Sequence, residues 1–179
     1  MARLADRDSG GRGAVPGDPS VPAGGFDPDR VVRDFGDVEG EVAACRKNAA
    51  LFDFSFLSVA RVWGPGALWT IGRLTDRRLD GVAPGQLRYA LASDADGYLV
   101  SDLTVWNQGD GGYLVMSGRR RDIVDLAALA ATDAAAANVE DIGGSLAIFA
   151  VQGPDSLRAL DGLTDLERLA ALPYFGFAQ

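Results

Sequence analysis

Asp102 is the acid best placed to do chemistry in this chain. Tyr98, Val100, Asp102, Thr104 and Trp106 alternate along one segment, so a strand there sets all five on one face and leaves Asp102 among large apolar neighbours. Burying a charge in such surroundings is expensive unless it is paired or used. A buried carboxylate with no compensating donor or cation takes a raised pKa, which suits it to act as a general base or to hold a positively charged nitrogen. A second reading stays open, in which that face is exposed and Asp102 is an ordinary surface acid beside Thr104.

The rest of the chemical inventory is sparse. The chain has no histidine, which removes the usual catalytic base, the Ser-His triads and nearly every transition-metal site, so no metal is expected. Its single cysteine, Cys45, excludes an intrachain disulfide and any multi-cysteine zinc site, and fits a reducing compartment, with cytoplasm the default. Gly64-Pro65-Gly66 and Gln152-Gly153-Pro154 lack the Lys and Ser or Thr of a phosphate loop, and read as joints holding helices against a sheet.

Several elements must position Asp102. Val42, Cys45 and Ala49 recur at helical spacing from Val38 to about Ala50, which puts Cys45 on a packed face. Phe54 to Trp63 reads as a strand ended by Gly64-Pro65, and Leu68, Ile71 and Leu74 mark the buried side of the helix that follows. Leu87 to Leu91 alternates as a strand, Asp94-Ala-Asp96-Gly97 reverses the chain, and Tyr98 to Trp106 runs back. A strand over Tyr113 to Ser117 and a helix over Arg120 to about Thr132 come next, with Ala134 to Ala137 as a frayed continuation. A short strand near Val139 and an apolar one over Leu146 to Val151 complete the pattern, giving an α+β class with a largely antiparallel sheet and packed helices.

The 179 residues, 47% hydrophobic and 23% charged, can bury a real core. A net charge of −8 opposes nucleic-acid binding, because the one basic run, Arg119-Arg120-Arg121, meets Asp122 at once. No apolar run reaches the roughly 20 residues of a membrane span, and the N-terminus lacks a signal-peptide core. Residues 1–36, rich in Gly and Pro, read as a mobile arm ahead of a domain over 37–179.

Two stretches repeat. Val62-Trp-Gly-Pro-Gly-Ala-Leu68 with Leu74-Thr75-Asp76 matches Val151-Gln-Gly-Pro-Asp-Ser-Leu157 with Leu163-Thr164-Asp165. The register holds as far as Pro84 on Pro173, so the chain reads as one unit plus the truncated opening of another.

Glu41, Arg46, Ala49 through Leu51-Phe52-Asp53-Phe54-Ser55, the hairpin from Tyr89 to Asp102-Leu103, Ala150-Val151-Gln152-Gly153-Pro154, and Pro173-Tyr174-Phe175-Gly176-Phe177 together resemble the aminomethyltransferases of the glycine cleavage system, the T-proteins, from about residue 36 onward. The same folate-binding fold forms the C-terminal regions of dimethylglycine and sarcosine dehydrogenases. The resemblance implies a tandem-repeat folate-binding fold with tetrahydrofolate as cofactor and a one-carbon unit moved in glycine or amine catabolism. Asp102 becomes the catalytic or folate-orienting acid, Tyr89 and Leu57 line the pocket, and Thr104, Val115 and Ser117 join the folate-contacting set. Ser117 stands where an asparagine is usual, Phe56 replaces a common histidine, and a doubled Asp is here Ser101-Asp102.

The implied partners are folate and an amine donor, with a lipoyl carrier protein or a flavin dehydrogenase behind it. Two alternatives are a folate-binding accessory protein of the iron–sulfur and tRNA maintenance kind, and an interaction domain without folate. The resemblance further implies that this stretch carries the Asp102 wall of a folate site without the opposite wall, and binds folate weakly or not at all alone.

Overall fold

Helix α1 spans Val38–Lys47 and is capped by Asp37, whose side chain accepts the Gly40 N–H at 2.9 Å. Glu39 and Glu41 in its first turn and Arg46 and Lys47 in its last suit the helix dipole. The computed structural model of the protein describes residues 34–132 and 136–179. The arm expected over 1–36 lies outside them up to residue 33, as does the alanine-rich continuation up to residue 135. Ala136 and Ala137 belong to no helix.

Strand β1 (Ala50–Asp53) follows, then β2 (Ser58–Trp63), helix α2 (Ala67–Leu74), strands β3 (Leu87–Ser93), β4 (Leu99–Gly109) and β5 (Gly112–Ser117), helix α3 (Arg120–Thr132), β6 (Asn138–Asp141), β7 (Phe149–Gln152) and two short helices, α4 (Ser156–Ala159) and α5 (Leu166–Ala170). Five strands form an antiparallel sheet in the order β3-β4-β5-β2-β6, and β1 pairs with β7 in a separate two-stranded sheet. The single strand expected over Phe54 to Trp63 is broken by a turn over residues 54–57, where the Leu57 N–H meets the Phe54 carbonyl at 3.0 Å. The first helix also ends earlier than its periodicity suggests, and Cys45 is only half-buried.

One face of the large sheet is covered by α2 and α3. Thr70, Ile71 and Leu74 of α2 and Ile123 and Leu126 of α3 are buried against Ala60, Val62, Leu103, Val105 and Val115. The helical period brings those side chains to one stripe, and the pleat brings every second strand residue to meet it. Among the described residues no helix is long and apolar enough to cross a membrane.

The duplicated stretches adopt the same backbone and exchange partners. β2 of the first repeat pairs with β6, which leads into the second, and β7 of the second pairs with β1, which leads into the first. Matching hydrogen bonds recur on both sides. Asp53 accepts the Ser55 N–H at 2.8 Å and Asp141 the Gly143 N–H at 3.0 Å, while Phe54 N–H reaches the Ile148 carbonyl at 2.8 Å and Ile142 N–H the Val59 carbonyl at 2.9 Å. Gly64 and Gly153 hold φ of +107° and +124°, and a Cβ on either would lie 2.5 Å from the Ala136 carbonyl oxygen or 2.4 Å from that of Asn48. Each glycine therefore serves both a left-handed backbone and the close passage of the other repeat's lead-in.

The repeat register does slip. Ala67 N–H to the Gly64 carbonyl and Ser156 N–H to the Gly153 carbonyl, both 3.1 Å, keep one offset through the start of the helices. By the next turn the equivalent bonds are Gln86 N–H to Ala83 at 3.0 Å and Gly176 N–H to Pro173 at 2.7 Å. Pro173 thus matches Ala83, one residue before Pro84. At that turn the repeats meet, with Gln86 bridging Gly176, Leu87 N–H on the Phe175 carbonyl at 2.9 Å and Phe177 N–H on the Gly85 carbonyl at 2.8 Å.

Candidate functional site

Asp102 projects from the sheet face opposite α2 and α3. Its strand alternates, with Leu103, Val105 and Asn107 buried beneath and Asp102, Thr104 and Trp106 above. Asp102 is exposed, so among the described residues the exposed-face reading holds and no burial penalty acts on it. Its neighbours are still defined. Leu91 lies directly across the ladder, and Tyr89, two pairs along opposite Thr104, donates its phenol to Asp102 Oδ2 at 2.9 Å. That donation is the main reason the Tyr89 phenol titrates above its ordinary value, partial desolvation and the carboxylate's charge adding to it.

Thr104 sits between two further contacts. Trp106 Nε1 donates to Thr104 Oγ1 at 2.8 Å, and the Trp106 ring lies 5.2 Å, centroid to centroid, from Phe177 at a 58° tilt. The second repeat thus reaches the Asp102 face through its terminal aromatic segment. Ladder register adds Met116 opposite Thr104 and Leu114 opposite Trp106, two residues absent from the sequence-derived set.

Val115 and Ser117 lie elsewhere. Both are buried on the opposite side of β5, Val115 in the core and Ser117 against α3. Ser117 Oγ donates to the buried Asp122 carboxylate at 2.7 Å and accepts the Arg119 N–H at 3.0 Å, which commits the hydroxyl to starting that helix. Both side chains therefore face away from Asp102. The cause is a bulge between Asn107 and Gly109, which changes the pairing by one residue and so exchanges the faces of β5 relative to β4. Leu57 is half-buried in the turn before β2, at the same end of the sheet as Asp102, because the adjacent Ser58 pairs with Ser117 and Ser117 with Leu103.

A separate groove of about 700 Å³ runs between α1 and the segment from Ala49 to Phe56, lined by Val38, Val42, Cys45, Leu51 and Phe54 among others. Leu57, Tyr89, Asp102 and Thr104 take no part in it.

The α+β fold of this domain has a solved example. The crystal structure of glycine cleavage system aminomethyltransferase T from Bartonella henselae matches with a TM-score of 0.57 at 22% identity, over 68% of this chain and 33% of that one. Residues 25–179 match the GCVT N-terminal domain, and the chain belongs to that family. It is 33% identical over 144 residues to an aminomethyltransferase of Geobacillus kaustophilus and 35% identical over 144 residues to one of Streptomyces avermitilis. These alignments cover 80% and 79% of this chain and 39% and 38% of the relatives, so the chain spans about two-fifths of their length.

Proposed function

We propose that this chain forms the acid-bearing wall of a tetrahydrofolate-dependent one-carbon transferase of the aminomethyltransferase type. The observation that supports this most directly is the Tyr89–Asp102 pair, held at 2.9 Å on the open face of the sheet, in a chain whose relatives are named aminomethyltransferases. The residues suit a folate: a carboxylate oxygen for ring N–H groups, a hydroxyl at Thr104, and Trp106, Leu114 and Met116 on the same face to cover a flat heterocycle. When bound, tetrahydrofolate supplies the nitrogen that takes up the one-carbon unit. Asp102 accepts the proton that this nitrogen gives up, or holds the positive charge that develops near it. Tyr89 keeps the carboxylate in place, and the apolar side chains exclude water.

The amine donor is glycine-derived in this reading, as the name of the solved neighbour suggests, and we place it on a lipoyl carrier protein. Isothermal titration of the intact protein with tetrahydrofolate, wild type against Asp102→Asn, tests it. Binding should persist in the variant while turnover falls about 100-fold or more. Failure of both proteins to bind would reject the reading.

A further inference from the structure

The turn at which the repeats meet is built twice and strained once. With Ala83 matched to Pro173 by their hydrogen bonds, Gly85 matches Phe175, and both are left-handed, at φ +78° and +59°. A glycine takes that conformation freely, whereas a bulky L side chain is strained by it. The second repeat has its glycine one residue later, at Gly176, where a Cβ would lie 2.7 Å from Pro173 Cδ and 2.8 Å from the Pro173 carbonyl oxygen. The two residues therefore cannot trade places to relieve the strain. Burial does not offset it either, since Phe175 is 44% exposed and its ring stacks, 4.3 Å between centroids, on Tyr174, itself 86% exposed.

Few contacts hold the strained turn down. The Phe175 carbonyl accepts the Leu87 N–H at 2.9 Å, the Phe177 N–H donates to the Gly85 carbonyl at 2.8 Å, and the Phe177 ring lies 5.2 Å from that of Trp106. Leu87 pairs with Trp106 and Leu91 with Asp102, so all three contacts fall at the end of the open face away from Asp102. We infer that residues 173–177 form a strap with a docked and a released state, which covers Trp106 when docked and which the left-handed Phe175 biases toward release. Release breaks the two backbone bonds and the ring contact and relaxes Phe175, while the five-stranded sheet beneath keeps its ladder. Docking works against strain that the first turn, with Gly85, does not carry. The strap thereby sets how much apolar surface the open face presents at its Trp106 end, whatever ligand the Asp102 end takes.

Amide hydrogen exchange of the intact protein, followed residue by residue by NMR, is the test. The Leu87 and Phe177 N–H groups report the strap, and the Val105 N–H, in the buried centre of the sheet, reports global unfolding. In the wild type Leu87 and Phe177 should exchange faster than Val105, at rates that low urea does not change, as a local opening requires. Phe175→Asn accepts a left-handed backbone without adding glycine's freedom to the released state, and should slow both strap amides about tenfold. Phe175→Gly should slow them less, because that added freedom favours release. Gly85→Ala, which gives the first turn the strain of the second without a close contact, its Cβ 3.6 Å from the Phe177 carbonyl oxygen, should speed both about tenfold. Strap amides that exchange only at the Val105 rate would mean that the segment never releases by itself, and the strap would be rejected. Rates that Phe175→Asn leaves unchanged or raises, or that Gly85→Ala leaves unchanged or lowers, would reject the bias assigned to Phe175.

Discussion

The two repeats share a backbone joint and differ in what surrounds it. Among the described residues β2 has a strand on each edge, β5 and β6, whereas β7 has only β1. The helix after the first joint buries Ala67, Thr70, Ile71 and Leu74; the one after the second buries none of its residues. Val62 is fully buried and its counterpart Val151 is not. The glycine-proline joint, then, specifies local conformation and the exchange of lead-in strands, while burial comes from the hairpin of β3, β4 and β5 and from α3. A repeat of sequence is a repeat of turn geometry first, and of core only where the covering elements are present.

The most severe test of this contrast compares equivalent core positions. Ile71→Ala removes a wholly buried side chain and should cost about 4 kcal/mol in urea unfolding. Its counterpart Leu160→Ala, at a half-buried site, should cost about 1 kcal/mol. Equal losses would mean that the second repeat is packed as tightly as the first, and the contrast would fail.

The joints themselves should behave alike despite unequal burial. Gly64→Ala and Gly153→Ala each force a left-handed φ on an L side chain and drive a Cβ to 2.5 or 2.4 Å from a carbonyl oxygen of the other repeat's lead-in. Each should cost about 3 kcal/mol, from backbone strain and from displacement of that carbonyl. A marked inequality, read from the two denaturation midpoints, would show the exchange to matter on one side only.

How far these features could be read from residues alone differs by element. The Arg120–Thr132 helix and the strand ending at Ser117 were legible because apolar side chains recur at 3.6 and 2 residues with little interruption. The turn over residues 54–57 was hidden inside a run of phenylalanines, since the device that makes it, the Asp53 carboxylate on the Ser55 N–H, leaves no apolar signature. The one-residue slip between repeats was masked by Pro84 and Pro173 falling at a constant offset although their turns do not. Asp102, Tyr89 and Thr104 share a face as strand alternation requires. Val115 and Ser117, named by resemblance alone, turn their side chains to the other face because a bulge at Asn107 and Gly109 resets the pairing, which sets Met116 opposite Thr104. The exchange of lead-in strands has no sequence signal, being a long-range choice of partner.

A smaller effect gives the first lead-in a dependence on pH. The hydroxyl and backbone N–H of Ser55 hold the Asp53 carboxyl below its ordinary value. A carboxyl depressed on folding contributes stability above its unfolded pKa, and that contribution is lost as pH falls through the folded value. The wild type should therefore exceed Asp53→Ala in urea midpoint at about pH 6, with the gap closing steadily toward about pH 2. A gap independent of pH would assign the turn to geometry alone, without the charge.

The smallest expected effect probes the better-covered repeat for a flaw. Ser101 points to the helix-covered side of β4, and its Oγ is buried with no hydrogen-bond partner among the described residues. A buried hydroxyl that gave up water without gaining a partner opposes folding, so its removal should not weaken the fold. Ser101→Ala should leave the unfolding free energy unchanged or raise it by up to about 1 kcal/mol, in contrast to the loss at Ile71 in the same layer. The substitution is one residue from Asp102 in sequence yet on the opposite face, so it also tests alternation: tetrahydrofolate affinity should not respond to it. A loss of stability would mean that the Ser101 hydroxyl gains a partner in the folded protein, and the first repeat would then carry no such flaw.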